Sequence, residues 1–287
     1  MKLQQLRYLC ETVNQNLSLS KAAEKLYTSQ PAISKQIQLL EDELGVTILV
    51  RNGKRVIQVT PPGKIIVKIA KRMLRDADNL AKVAREFTNE ADGTLTIATT
   101  HTQARYVLPS VIKQFTLRYP KVKLILRQGS PIQISELVTS GEADIAIATE
   151  AIEHFHELIM LPCYQWNRCV VVPPKHPLLN LKKLTLEVIS QYPIITYDFA
   201  FTGRSKINQA FENAGLTPNV VLTAIDSDII KTYVELKLGI GILAKMAFDP
   251  MRDNHLRSID ASHLFEPSTT RIGISRNNYL RGYIFDF

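Results

Sequence analysis

The sequence predicts a small helix-turn-helix unit with a β-hairpin, one long helix, and an α/β domain divided into two subdomains. Three observations carry this. A pair of short amphipathic helical patterns with a tight break lies in residues 18–45, residues 64–87 hold helical periodicity with no Gly or Pro, and short apolar strands alternate with helical patterns beyond Gly93. At 287 residues the chain is long for one core.

Leu3, Leu6, Leu9, Cys10 and Val13 recur at helical spacing and predict a first helix. Ser18 or Ser20 can cap a second, with Ala22, Ala23 and Leu26 as its apolar stripe and a break at Tyr27–Thr28. A third helix starts after Ser29, whose side chain supplies a cap oxygen. Pro31 falls in its first turn, where a missing N–H costs nothing, and Ile33, Ile37, Leu40 and Leu44 form its buried face until Gly45 ends it. The other face carries Gln30, Ser34, Lys35 and Gln38. With Ser29 and Pro31 at the helix start, these are groups suited to base edges and phosphates in a major groove.

Any two small helices with a polar outer face would look like this, so the neighbouring residues matter. Two short strands, 46–51 and 55–59, are expected to join through Asn52-Gly53, a dipeptide that tolerates positive φ. Arg51, Lys54 and Arg55 crowd the tip, the chemistry of a wing lying along a phosphate backbone. Residues 1–90 hold 15 Lys/Arg against 9 Asp/Glu, and the rest of the chain 20 against 18. The basic excess therefore sits with the helix-turn-helix, as expected where a polyanion is met.

Thr60 and Pro61 open the long helix. Ile66, Ile69, Met73, Ala77, Leu80, Ala84 and Phe87 step by threes and fours along roughly 40 Å at 1.5 Å per residue. A seam that long calls for a partner, and a second copy of the helix is the expected one, with docking on the chain's own C-terminal part as the alternative. Lys64, Lys68, Lys71, Arg72 and Arg75 occupy its first half.

A polar break at 89–93 marks the domain boundary. Beyond it, strands are predicted at 94–98, 122–126, 144–148, 168–172, 194–196, 220–222, 240–243 and 271–275. Helices are predicted at 104–119, 132–140, 204–214 and 228–238. That is enough for two sheets with a cleft between them. The expected organisation is a DNA-binding domain at 1–59, a linker and dimerisation helix at 60–89, and an α/β domain at 92–287.

No apolar run approaches a membrane span and the N-terminus has no secretory h-region, so a cytosolic protein is expected. Cys10, Cys163 and Cys169 have no metal-binding spacing and read as buried free thiols. No nucleophile elbow, paired catalytic carboxylates or CysXXCys is present, which argues against an enzyme. Glu153-His154-Phe155-His156-Glu157 lacks the spacing of a helical metal-ligand pair and reads as a solvated loop. No metal or cofactor is expected.

Thr100-His101-Thr102-Gln103 follows a strand and opens a helix, so hydroxyls, an amide and orphan N–H groups share one helix N-terminus. That combination favours a small anion. Thr149 follows another strand and Thr202 precedes Gly203-Arg204 at another helix start, where each Thr alone could equally be a helix cap.

The order of parts resembles a LysR-type transcriptional regulator. The resemblance is carried by LysAlaAlaGluLysLeu (21–26) with SerGlnProAlaIleSerLysGlnIle (29–37), GlyGluAlaAspIleAlaIleAla (141–148), HisProLeu (176–178) and LeuGlyIleGlyIleLeu (238–243). It implies a winged helix-turn-helix, a linker helix and, at 92–287, an effector domain of two Rossmann-like subdomains, similar to periplasmic binding proteins. Subdomain I then spans about 92–162 plus 268–287 and subdomain II about 163–267. Segments 98–106, 161–168, 201–205 and 228–234 further resemble the sulphur-control members, regulators of cysteine biosynthesis. In those members the positions of Thr100, Thr102, Gln103, Thr149 and Thr202 line a pocket for sulphate or an acetylserine (N- or O-acetylserine), with the position of Trp166 near the same cleft. The implied partners are double-stranded promoter DNA, a small anionic effector, further copies of the chain in a dimer or tetramer, and RNA polymerase. Tyr279, Leu280, Tyr283, Ile284 and Phe287 form a helical apolar face that runs to the last residue, and because such regulators usually continue further, a shortened chain is expected. A LysR-type regulator of another pathway would keep the N-terminal reading and lose the ligand. A solute-binding protein of a transport system would share the effector fold but leave residues 1–90 unexplained.

Overall fold

A computed structural model describes the chain apart from Lys54 and residues 89–91, 150–156, 199–202 and 277. It separates into two compact units, Met1–Thr88 and Asn89–Phe287. The Glu153–Glu157 segment singled out above lies, apart from Glu157, outside the described residues.

In the first unit, helices α1 (Leu3–Asn14), α2 (Leu19–Lys25) and α3 (Gln30–Leu44) enclose one core. Ser18, not Ser20, caps α2, its Oγ accepting the Lys21 N–H at 3.3 Å. Gly45 closes α3 at φ 65°, a left-handed conformation that a side chain would strain. Leu6, Leu9, Ala22, Ile33, Ile37 and Leu40 are at most 2 % exposed. Burying a side chain the size of Ile33 or Ile37 contributes about 1.5–3 kcal/mol.

The hairpin is shorter than predicted, pairing β1 (Leu49–Asn52) with β2 (Arg55–Val59). Its first strand begins late because the N–H groups of Ile48 and Leu49 donate to Glu41 Oε1 and not to a strand. Asn52 pairs with Arg55, so Asn52 closes the first strand and does not open the turn. Gly53 has φ 58°.

Helix α4 (Pro61–Thr88) spans 28 residues, about 42 Å. Gly63 is required where it passes Ile48, since a Cβ there would lie 2.4 Å from the Ile48 carbonyl oxygen. The expected apolar seam is divided. Val67 and Ala70, with partly buried Ile66, Met73 and Leu74, pack on the helix-turn-helix core, which thus covers more of the helix than its size suggested. Ile65, Ile69 and Leu80 remain 65 %, 43 % and 73 % exposed.

The second unit holds two five-stranded mixed sheets. Sheet I has the order β4-β3-β5-β12-β6, formed by β3 (Gly93–Thr99), β4 (Val122–Gln128), β5 (Ile145–Ala148), β6 (Leu158–Trp166) and β12 (Ser268–Ser275). Sheet II has the order β11-β7-β10-β8-β9, formed by β7 (Arg168–Val172), β8 (Ile194–Tyr197), β9 (Val220–Ala224), β10 (Ile240–Ala244) and β11 (Arg257–Asp260). The chain passes from one sheet to the other between Trp166 and Arg168 and returns between Asp260 and Ser268. Strands β6 and β11 and a short helix, α7 (Leu186–Ser190), are additions to the sequence reading.

The predicted helix at 104–119 is two pieces. A π-helical turn, Gln103–Val107, precedes α5 (Leu108–Arg118), with Pro109 at the start of the second piece. Proline has no N–H to continue the first ladder, so the register shifts there. Helices α6 (Pro131–Ser140), α8 (Gly203–Asn213) and α9 (Ser227–Glu235) fall where periodicity placed them. The terminal apolar face is covered: α10 (Gly282–Phe285) buries Tyr283 and Ile284 against Leu95, Leu108 and Phe115. No helix among the described residues is long and apolar enough to cross a membrane.

Candidate functional site

In the first unit the buried stripe of α3 fixes which side chains face outward. Pro31, Lys35 and Gln38 are exposed, Gln30 and Ser34 half-buried, and exposed Ser29 accepts the Ala32 N–H at 3.4 Å. Arg55 is exposed beside the hairpin turn, and Lys54 lies outside the described residues. Arg51 does not join them at the tip. Its guanidinium turns back onto α3, Nη1 donating to Ser34 Oγ at 2.7 Å and Nη2 lying 3.5 Å from Glu41 Oε2.

In the second unit, sheet topology locates the cleft. Strand β3 lies between β4 and β5, both parallel to it, so the chain turns to opposite sides of β3 after successive strands. Strand β8 sits in the same way between parallel β9 and β10. Such switch points leave a crevice outside the carboxyl ends of the central strands. At the first, β3 ends in Thr99 and delivers Thr100, His101, Thr102 and Gln103. At the second, β8 ends in Tyr197.

The two crevices face one another. The Thr102 hydroxyl lies near enough to the Tyr197 phenol to lower its pKa slightly, and the phenol accepts the Ala244 N–H at 3.1 Å and lies 2.7 Å from Ser227 Oγ. Burial of the phenol pushes the Tyr197 pKa up, more than these donors lower it. Thr149 is buried directly after β5, the strand paired with β3. The first intrahelical N–H after β3 is that of Ala104, to the Thr100 carbonyl at 3.0 Å. The N–H groups of His101, Thr102 and Gln103 precede it, at the positive end of the helix.

Gln103 is held from below. Its Nε2 donates to Thr270 Oγ1 at 3.1 Å and its Oε1 accepts from the Tyr164 hydroxyl. Trp166 is partly buried against the core of sheet II, with the Arg168 guanidinium 5.1 Å from its ring centre. Its indole N–H is sealed from solvent and has no partner among the described residues. Thr202 lies outside the described residues.

A polar knot beside the cleft was not legible in the sequence. The Tyr106 hydroxyl donates to Asp228, Arg105 Nε lies 2.6 Å from Asp228 Oδ2, and Lys231 Nζ donates to Tyr106 (2.9 Å), Asp253 (2.9 Å) and the Ala247 carbonyl (3.0 Å). Burial pushes the Asp228 carboxyl up, but the Tyr106 hydroxyl and the charges of Lys231 and Arg105 outweigh it and hold it below the usual range. Burial likewise lowers Lys231, and Tyr106 and Asp253 more than reverse this. Arg105 and Lys231 are therefore paired within the protein, and the start of the helix after β3 offers hydroxyls, an amide and backbone N–H groups as donors. His101, Asp226 and Asp228 are close enough to share a cation. However, Asp226 caps α9 through the Ile229 N–H and Asp228 is engaged by Arg105 and Tyr106, so the cluster is an ion-pair network.

The cysteines are not all buried. Burial raises Cys10 and Cys169 to about 11, whereas Cys163 is exposed on β6. Thiols held that far above neutral pH are poor nucleophiles.

The family model described as the bacterial regulatory helix-turn-helix protein, lysR family, matches residues 3–64, and that of the LysR substrate binding domain matches residues 88–284. The chain is 56 % identical over 285 residues to the HTH-type transcriptional regulator SsuR of Burkholderia cenocepacia, covering 99 % of this chain and 92 % of that one. It is 53 % identical over 287 residues to the regulator CysB of Haemophilus influenzae, covering 100 % and 88 %. Among solved structures, the cofactor-binding domain of the Cbl transcriptional regulator superimposes with a TM-score of 0.67 at 46 % identity, covering 69 % of this chain and 87 % of that one. The chain belongs to the LysR family of helix-turn-helix transcriptional regulators, in the sulphur-metabolism group of CysB, SsuR and Cbl, and is not an enzyme.

Proposed function

We propose that the chain binds promoters of sulphur-assimilation and cysteine-biosynthesis genes through α3 and the hairpin, and that a small anion in the effector cleft controls this binding. Ser29, Gln30, Pro31, Ser34, Lys35 and Gln38 face the DNA, with Lys54 and Arg55 on its phosphates. Thr100, Thr102, Gln103, Thr149, Trp166 and Thr202 surround the anion, which is sulphate or an acetylserine, and the working form is a dimer or tetramer. The observation that carries the ligand class is the helix N-terminus at Thr100–Gln103 opposite Tyr197, rich in hydrogen-bond donors with its neighbouring cations already paired. Such a site holds a compact anion reversibly, as a metabolite sensor requires.

The test is fluorescence anisotropy of the chain on a labelled cysteine-biosynthesis promoter, titrated with sulphate and with N-acetylserine. Affinity for the promoter over a scrambled duplex should change with at least one of these anions. Promoter binding that ignores every sulphur-pathway anion would move the effector to another pathway.

A further inference from the structure

One side-chain knot joins the hairpin to α3. Glu41 Oε1 accepts the backbone N–H groups of Ile48 and Leu49 at 2.7 and 2.8 Å, and its Oε2 faces Arg51 Nη2 at 3.5 Å. Arg51 Nη1 then donates to Ser34 Oγ at 2.7 Å, two helical turns before Glu41 on the same side of α3. The Glu41 and Arg51 side chains are 12 % and 27 % exposed, and Arg51 Nη2 is sealed from solvent.

These contacts settle what each group has left to offer. A serine hydroxyl has one proton and two lone pairs, and the guanidinium occupies a lone pair. The Ser34 proton is thereby left to point away from Arg51. The Arg51 charge faces Glu41, so it has little to contribute to counterion release from DNA.

We infer that Arg51 is a positioning residue for sequence reading and not a phosphate ligand: it orients Ser34 as a hydrogen-bond donor toward an acceptor on the DNA and fixes the hairpin against the recognition helix. The acceptor is a purine N7, a guanine O6 or a thymine O4 on the base edge. The inference rests on α3 being the DNA-reading helix, and the experiment separates the two.

The full chain is first used to select a duplex from a random-sequence pool. Anisotropy on that duplex and on a scrambled one is then measured between about 50 and 200 mM salt. If the parent selects no duplex, the DNA-reading assignment fails before Arg51 is tested. Otherwise Arg51→Ala should reduce the specific-to-scrambled affinity ratio roughly tenfold, while the slope of log affinity against log salt changes by less than about half a unit.

Arg51→Lys keeps the charge and loses the planar fork, so it should lower the ratio nearly as much as Ala. A phosphate ligand would behave oppositely: Lys would resemble the parent, while Ala would weaken both duplexes alike and reduce the slope by about 0.9. That outcome overturns the inference. To separate orientation from damage to the hairpin, Ser34→Ala is combined with Arg51→Ala. The double variant should discriminate no worse than the more affected single variant, and independent, additive losses would also overturn the inference.

Discussion

The two functional regions use their polar groups in opposite ways. On α3, Lys35 and Gln38 stand exposed on a helix whose other side is fixed by Ile33 and Ile37, so donors and acceptors are presented to whatever approaches. In the cleft, Gln103, Tyr106, Tyr197, Asp228 and Lys231 are already bonded to one another or to neighbouring strands. A rigid surface with free donors suits reading a sequence, because it pays little to reorganise on contact. A cleft whose polar groups hold two sheets together suits sensing, because a ligand there must redistribute bonds that also set the geometry of the sheets. Substitutions in the two regions should therefore fail in different ways.

The largest effect is expected at Lys231. Its ammonium is 8 % exposed and serves Tyr106, Ala247, Asp253 and Asp228, so Lys231→Ala leaves buried acceptors and an unpaired carboxylate. Breaking a buried pair costs about 3–5 kcal/mol, and the carboxylate left without its cation is Asp253, 12 % exposed, while Asp228 keeps Arg105. Denaturant unfolding should show the second unit losing its midpoint while the first keeps its own. A loss under about 1 kcal/mol would mean that the knot is solvent-screened.

The same knot has a defined pH dependence. The folded pKa of Asp228 lies below its ordinary 3.8, so its contribution is present above pH 4 and is lost as pH falls through the folded value. The folded pKa of Lys231 lies above 10.5, so its contribution holds below that pH and is lost as pH rises through the folded value. Asp228→Asn should flatten the acid limb of the unfolding midpoint without moving the alkaline limb.

Thr102→Val comes next and tests sensing without dismantling the cleft. The change preserves shape and removes the hydroxyl that meets Tyr197. If that hydroxyl donates to a bound anion, a charge-assisted bond of about 1.5–3 kcal/mol is lost, a tenfold or greater reduction in affinity. Sulphate should raise the thermal midpoint of the parent and raise that of the variant much less. Equal rises would place the anion away from Thr102.

The contrast also explains what the sequence made legible. Caps at Ser18 and Ser29, the Gly45 stop and the Ile33/Ile37 stripe are local signals, and each meets its partner within a few residues. Thr100 and Thr102 were found because a strand ending in a helix start is equally local. Their counterparts were hidden: Tyr197 lies 95 residues beyond Thr102 and Thr270 lies 167 beyond Gln103, with only sheet topology joining them. Strand β6 escaped because it is an edge strand with Pro162 and a register break, so neither alternation nor composition marks it. Arg51 was read as part of a cationic tip because sequence cannot show that Glu41, ten residues earlier, draws it inward.

On the reading surface the expected effect is smaller and of another kind. Gln30 starts α3 half-exposed, with no buried bond to lose. Gln30→Ala should leave the unfolding midpoint unchanged and cost about 1–3 kcal/mol of discrimination between selected and scrambled duplexes, if the amide pairs with a base edge. Unchanged discrimination would move base reading away from the start of α3.

The smallest effect on folding is expected at Leu80, where the consequence lies in assembly. Met73, on the same helix, rests partly on the core of its own unit, so a charge there would disturb the fold and obscure any change in association. Leu80 is 73 % exposed and shares a side of α4 with Ile65 and Ile69, four and fifteen residues being close to whole helical turns. Leu80→Glu should therefore change the stability of an isolated chain by no more than about 0.5 kcal/mol. In an assembly where a second α4 covers that side, the carboxylate would be buried without a partner, which is strongly unfavourable. Light scattering should then report a smaller species than the parent, with unchanged unfolding of the separated chain. Equal masses for parent and variant would show that the second copy, if bound, covers another face.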